Sequence, residues 1–281
     1  YLKFRMKNLI KKTIGKLLKL LNLKVINLSH YEIISRLPRS FYVYGSLPRI
    51  KQKKVFNLLT KSKSQLGQDI FVSAYTNKDS KNFFVEFGAT NGKTHSNTYM
   101  LEKELNWNGI LVEPAEIWHE ELIKNRNCLI DKRCIFTKSG EKMEFLTVNN
   151  NTNGKIIYNG KDPEPGLSTL KKYADNGDWA SKVRIKNSKQ DIVETITLND
   201  LLDYYNSPEE INYLSIDSEG SELDILKSFD FSKRRIKIIS VEHNYHRINR
   251  KKIYELLMKE GYERVYEKLS KFDDWYMLRN D

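Results

Sequence analysis

From residue 83 to residue 242, short apolar runs alternate with helix-length segments, and this alternation restricts the chain more than any other feature. The runs at 83–87, 110–112, 213–216 and 236–241 are almost continuously apolar, as strands covered on both faces must be. Helical patterns at 97–105, 117–124, 198–205, 221–229 and 250–260 separate or follow them. Ser96 offers an N-cap to the first, and Gly261 closes the last. A mostly parallel sheet with helices on both faces follows. A short helix is expected at 66–75, further strands at 133–136 and 142–148, and an antiparallel strand pair at 264–268 and 275–278.

Charge divides the chain. Residues 1–64 hold sixteen Lys/Arg and one acid, Glu32, for +15; the remainder holds 32 basic and 35 acidic residues, for −3. The net +12 therefore belongs to a basic extension, residues 1–63, and the body, 64–281, is faintly acidic. Within the extension Ile10, Ile14, Leu17, Leu18 and Leu21 recur at helical spacing between Lys11, Lys12, Lys16 and Lys19. That pattern predicts a basic amphipathic helix suited to an anionic membrane surface, or docked on the body with a solvated basic face. Lysines interrupt every apolar stretch, so neither a membrane span nor a secretory leader is expected. Residues 36–64 read as a connector with one helix near 54–59. Cys128 and Cys134 are too few for a disulfide framework and agree with a reducing cytoplasm. The segment 149–190 is rich in Asn, Gly and Pro, breaks the alternation, and reads as an insertion forming an acceptor lid over the sheet.

In such sheets ligands bind beyond the carboxyl ends of the strands. The first strand ends in Glu86-Phe87-Gly88-Ala89-Thr90-Asn91-Gly92, and the second in Glu113-Pro114. An acid about 20 residues after a glycine turn can hold both hydroxyls of a ribose. A dinucleotide fingerprint fails, because Thr90 and Lys93 stand where its second and third glycines belong. A carboxylate at the strand tip suits a cofactor bearing a positive charge and an ammonium group, as S-adenosylmethionine does.

The strand at 213–216 runs into Asp217-Ser218-Glu219-Gly220-Ser221-Glu222, and that at 236–241 into Glu242-His243-Asn244. These acids could supply a general base for a hydroxyl, hold a divalent cation through hard oxygen ligands, or sit at a helix N-terminus for its dipole. His243 could accept the proton or be a satisfied structural histidine.

Together these blocks resemble the FkbM family of S-adenosylmethionine-dependent methyltransferases. The resemblance is carried by Ser64-Gln65-Leu66-Gly67-Gln68-Asp69, by 84–92, by Ser96-Asn97-Thr98, by Leu111-Val112-Glu113-Pro114, by 196–202 and by 216–222. It implies a Rossmann-like class I fold with a seven-stranded sheet and O-methylation of small molecules or glycans. It also implies a cofactor site of Glu86, Gly88, Ala89, Asn91, Gly92, Ser96, Asn97, Glu113 and Pro114. Asp217, Glu219, Glu242 and His243 are then the catalytic candidates, with Asp217 and Glu242 as ligands should Mg or Mn be used. The expected acceptor is a sugar hydroxyl of a surface glycan or glycolipid precursor, and the expected place the cytoplasm at the inner face of the membrane. Two other readings are a nucleic-acid methyltransferase with the extension as its arm, and an NAD-type nucleotide-binding protein. The absence of an Asn/Asp-Pro-Pro-Tyr motif weighs against the first, and the missing glycines against the second.

Overall fold

A computed structural model describes residues 39–77, 81–148, 165–175, 177 and 180–279. The amphipathic helix expected at 10–21 lies outside the described residues. A compact unit runs from Arg39 to Asp281, so the boundary expected at 63/64 falls inside it.

The elements in chain order are α1 (Arg39–Ser46), α2 (Arg49–Val55), α3 (Gln68–Tyr75), β1 (Phe83–Phe87), α4 (Tyr99–Leu105), β2 (Asn108–Val112), α5 (His119–Asn125), β3 (Leu129–Asp131), β4 (Cys134–Ile135) and β5 (Lys142–Val148). There follow β6 (Thr169–Leu170), α6 (Ser181–Lys186), β7 (Ser188–Ile196), α7 (Leu198–Tyr204), β8 (Glu210–Ile216), α8 (Glu222–Ser228), β9 (Arg235–Glu242), α9 (Arg247–Lys259), β10 (Tyr262–Val265), α10 (Glu267–Ser270) and β11 (Asp273–Leu278). The main sheet has the order β10-β11-β9-β8-β1-β2-β3. Every pair in it is parallel except those made by β11, which is antiparallel to both neighbours. Strand order reverses about β1, whose neighbours are β2 and β8, so a switch point opens beyond their carboxyl ends.

Both faces of the sheet are buried, which explains the near-continuous apolar runs. Val85, Phe87, Leu214, Ile216 and Ile239 pack with Leu201 of α7, Leu226 of α8 and Leu257 of α9. Phe84, Leu111, Tyr213 and Trp275 pack on the other side with Phe71 of α3 and Met100 of α4. Phe71 and Trp275 stack at 4.9 Å and 15°.

Three sequence expectations are corrected. Residues 39–59 are not a connector: Val43, Leu47, Val55, Leu58 and Leu59 are buried in the same core as Phe71. The strand expected at 133–136 is the two-residue β4, which joins a second sheet, while the unexpected β3 extends the main one. That second sheet, β4-β7-β5-β6, takes β6 and the first residues of β7 from the segment expected to be an acceptor lid. Residues 149–164 of that segment lie outside the described residues, but 165–190 contain β6, α6 and the start of β7. No helix among the described residues is long and apolar enough to cross a membrane.

Candidate active site

A cleft of about 670 Å³ lies at the switch point, within the range of small-molecule sites. It is lined by the ends of β1, β2, β8 and β9, by the start of β11, and by Gly166, Leu167, Ser168, Leu170 and Val183 from the inserted region. All but two of the expected site residues line it. The exceptions are Gly92, which shapes the turn from behind, and His243.

The turn after β1 is fixed by its backbone. Gly88 has φ +67°, and a Cβ there would stand 2.2 Å from the carbonyl oxygen of Asp217, so only glycine lets the end of β1 lie against the end of β8. Gly88 and Ala89 donate their amides to the carbonyl of Val112 at 3.1 and 3.3 Å. The Thr90 amide donates to Glu113 at 2.7 Å. The Gly92 amide donates to the Ala89 carbonyl at 2.8 Å, and the amides of Lys93 and Thr94 donate to Asn91 Oδ1. The turn thus turns its amide protons inward, unlike one that cradles a pyrophosphate.

Glu86 is buried at the tip of β1. It accepts from Ser96 Oγ at 2.9 Å, from the Asn97 amide at 2.7 Å and from Thr98 Oγ1. Arg126, with no side-chain exposure, lies 3.7 Å from it and also donates to the Gly92 carbonyl, Ser96 Oγ and Thr98 Oγ1. This knot clamps the 96–98 turn over the glycine turn and leaves Asn97 Oδ1 buried without a hydrogen-bond partner among the described residues. Asn97 lines the cleft, so it presents an unmet acceptor to a donor bound there.

Glu113 is buried at the end of β2, where its carboxylate accepts from the amides of Thr90 and Ala115 at 2.7 and 2.8 Å. Burial pushes its pKa up to about 7, against those two hydrogen bonds.

Across the cleft Asp217, Glu219 and Glu242 each bring a carboxylate oxygen within 4.8 Å of the others. Burial raises the pKa of all three; the Asp217 charge adds to it at Glu219 and Glu242, and the charges of Asp273, Glu222 and Glu86 at Asp217. Asp217 and Glu242 are hydrogen-bonded to each other, which requires a proton between them. Two donors face the group. Arg184 of α6, fully buried, pairs with Glu219 and donates from Nε to the Leu167 carbonyl at 3.1 Å. Asn244 Nδ2 donates to Glu242 at 2.8 Å and to Glu219 at 3.3 Å. Glu219 holds its place with a left-handed φ of +56°, and its carbonyl accepts from Thr169 Oγ1 at 2.9 Å. The inserted region is therefore fastened to the acid cluster by both side chain and backbone.

The structure does not bring His243 to this group. Its Nδ1 accepts from the Tyr245 amide at 3.0 Å and its Nε2 lies 3.1 Å from the Asp273 carbonyl. Burial lowers its pKa, so it is a neutral ring committed to backbone. Glu222 likewise holds the 218–220 turn, accepting from the Ser218 and Gly220 amides.

Sequence reasoning missed Asp273, Gln68 and Arg184. Asp273 pairs in register with Glu242, lines the cleft, and is pushed up to about 7 by burial. Gln68 donates to it at 2.7 Å across 205 residues of sequence. The signal was present in Gln65 and Gln68, which the resemblance had marked as a block without giving it a role.

This strand order, with β11 inserted antiparallel and a cleft at the β1–β8 switch point, is that of the class I methyltransferase fold. The family profile described as Methyltransferase FkbM domain matches residues 86–279. The chain belongs to the FkbM methyltransferase family. Among curated protein sequences none matches it. Six solved chains do. One is the methyltransferase FkbM from Methylobacillus flagellatus KT, at 12% identity over 95% of this chain and 70% of that one, with a TM-score of 0.41. Another comes from a fibrillarin/Nop5p complex, at 13% identity over 77% of this chain and 81% of that one, with a TM-score of 0.37.

Proposed function

We propose that the chain transfers the methyl group of S-adenosylmethionine to a sugar hydroxyl of a surface glycan or glycolipid precursor. What carries this reading is the pairing in one cleft of a nucleoside-type end with a cluster of proton-holding carboxylates. Glu113 receives the ribose hydroxyls, while Pro114, Trp118 and Ile135 offer an apolar wall to the adenine. The buried Asn97 Oδ1 and the knot behind it meet the ammonium of the methionine end. Fitting this group needs no amide donors, and the glycine turn has already committed its own.

The reaction is an in-line displacement. The acceptor oxygen forms a bond to the methyl carbon as the carbon–sulfur bond breaks, and the sulfonium becomes a neutral thioether. The hydroxyl proton passes to the carboxylate pair Asp217 and Glu242, whose burial suits them to accept it near neutral pH. The enzyme otherwise acts by alignment. Gln65, Gln68, Asn244 and Asp273 give the acceptor side amide and carboxylate partners for hydroxyls, and no Lys or Arg among the described residues lines the cleft. That favours a neutral polyol over a phosphate backbone, and so a glycan over a nucleic acid.

Asp217, Glu219 and Glu242 are also close enough for three hard oxygen ligands to share one Mg or Mn. When bound, such a cation would make the acceptor hydroxyl more acidic. Arg184 and Asn244 already engage two of the three carboxylates, so the metal-free proton transfer is preferred. Work on a membrane-borne precursor, at the inner face of the membrane, gives the basic extension its use.

Incubation with methyl-labelled S-adenosylmethionine and fractionated cell glycans, lipids and RNA tests the reading. Label should enter a glycan or glycolipid fraction, fall at least about a hundredfold in Glu242→Gln, and survive a chelator. Label in RNA alone, or no binding of S-adenosylmethionine, overturns it.

A further inference from the structure

Residues 39–63 contain seven Lys/Arg and no acid. Their apolar residues divide into two sets. Val43, Leu47, Val55, Leu58 and Leu59 are buried against α3 and its neighbours. Ile50 is 77% exposed, Phe56 60% and Tyr42 39%. The cations divide as well. Lys54 donates to the carbonyls of Ala74 and Thr76 at the end of α3, Lys51 lies 4.7 Å from the Tyr75 ring, and Lys61 pairs with Glu104 at 3.6 Å. Arg49, Lys53 and Lys63 instead face solvent.

The exposed set shares one side of α2 and the turn that follows. Ile50, Lys53 and Asn57 are three and four residues apart, as are Arg49, Lys53 and Phe56 at four and three. An aliphatic tip and an aromatic tip thus flank a lysine, with an arginine one turn earlier. A face shaped only for water has no need of an exposed Ile and Phe so close together. A face shaped for nucleic acid gains little from the aliphatic one. In sequence this unit is preceded by 38 residues holding nine Lys/Arg and one acid. The positive character is therefore continuous along the sequence up to it.

We propose that this side of α2 is where the folded unit rests on an anionic lipid surface. Ile50 and Phe56 enter the headgroup boundary, and Arg49, Lys53 and Lys63 lie over the phosphates. The inference rests on the membrane part of the reading above and adds a place of contact on the folded unit.

The test is sedimentation of the full chain with vesicles of phosphatidylcholine alone or mixed with phosphatidylserine. The wild type should follow the mixed vesicles only. Ile50→Ser with Phe56→Ser, and separately Lys53→Glu, should each weaken partition by at least about fivefold, with melting temperature unchanged. Ile123→Ser, at another exposed isoleucine (55%), should leave partition unchanged. If the wild type binds no vesicle, or binds single-stranded RNA in their place, the membrane reading and this inference fall together. If the wild type binds and the Ile50/Phe56 variant binds equally, only the inference falls. Equal binding with a lower melting temperature would show the face to be covered by the chain itself or by a second copy.

Discussion

Glu113 ties cofactor binding to pH through one side chain. Its pKa stands near 7 because burial disfavours the charge more than two backbone amides restore it. Ribose hydroxyls donate to the ionised form, so binding below pH 7 must also release a proton. S-adenosylmethionine affinity should therefore climb with pH, by up to about tenfold per unit below 7, and level off above it. Titration calorimetry from pH 5.5 to 8.5 checks this. Glu113→Gln should bind more weakly and flatten the profile; an unchanged slope in that variant would place the titrating group elsewhere. Glu86 lines the cleft and is also engaged within the fold. An acid at the strand tip was expected to face the cofactor's positive charge. It also holds the 96–98 turn, and the acceptor left unmet is Asn97 Oδ1. Sequence spacing locates such residues but does not say which atom of a knot is left over.

Elements were readable where burial left a periodic trace. The strands β1, β2, β8 and β9 are sealed between two layers over most of their length, so they hold near-continuous apolar runs and their ends stand out as Glu86, Glu113, Asp217 and Glu242. In the second sheet β4 and β5 were legible but β7 was not, because it has one open face and reads as Ser-Lys-Gln-Asp-Ile-Val-Glu-Thr-Ile. The edge strand β3 is only three residues long. Helix α2 was hidden by Lys51, Lys53 and Lys54, and α1 by its shortness, with only Ser40 and Val43 buried. Here the element-scale prediction departs from the charge boundary. Removing residues 1–38 should leave the melting temperature of the remaining chain nearly unchanged. Removing 1–63 strips five buried apolar side chains from the core, at about 1.5–3 kcal/mol each, and should leave a chain that fails to fold cooperatively. Equal melting curves for the two truncations would mean that α1 and α2 are not integral to the unit.

The molecule as a whole collects buried acids around one cleft, and that sets its stability profile. Glu113 and Asp273 have folded pKa values near 7, raised above their unfolded values near 4 by burial. Such groups favour the folded state when protonated, so their contribution is complete below about pH 4 and is lost as pH rises to 7. His243 works in the opposite direction, since its depressed pKa penalises folding as pH falls through its unfolded value of 6.5. Glu102 does too: burial opposes its charge, but Arg126, Lys103 and the Asn127 amide bring it down to about 2, and that support disappears between about 4.5 and 2. Two carboxylates outweigh one histidine, so the cofactor-free protein should melt higher at pH 5.5 than at pH 7.5. Scanning calorimetry decides it, and a higher melting temperature at pH 7.5 would show that the cleft acids are better solvated than their burial implies.

The position of β11 has a consequence in time. This strand lies between β9 and β10 in space, yet residues 273–278 are synthesised after every other described strand of the sheet. Asp273 reaches Gln68 across 205 residues, and Trp275 stacks on Phe71 across nearly as many. A nascent chain can assemble β1, β2, β8 and β9 on the ribosome, but β10 has no neighbour to join until β11 emerges. The active-site cleft therefore gains its Asp273 wall only after β11 has been made, later than every other strand that lines it.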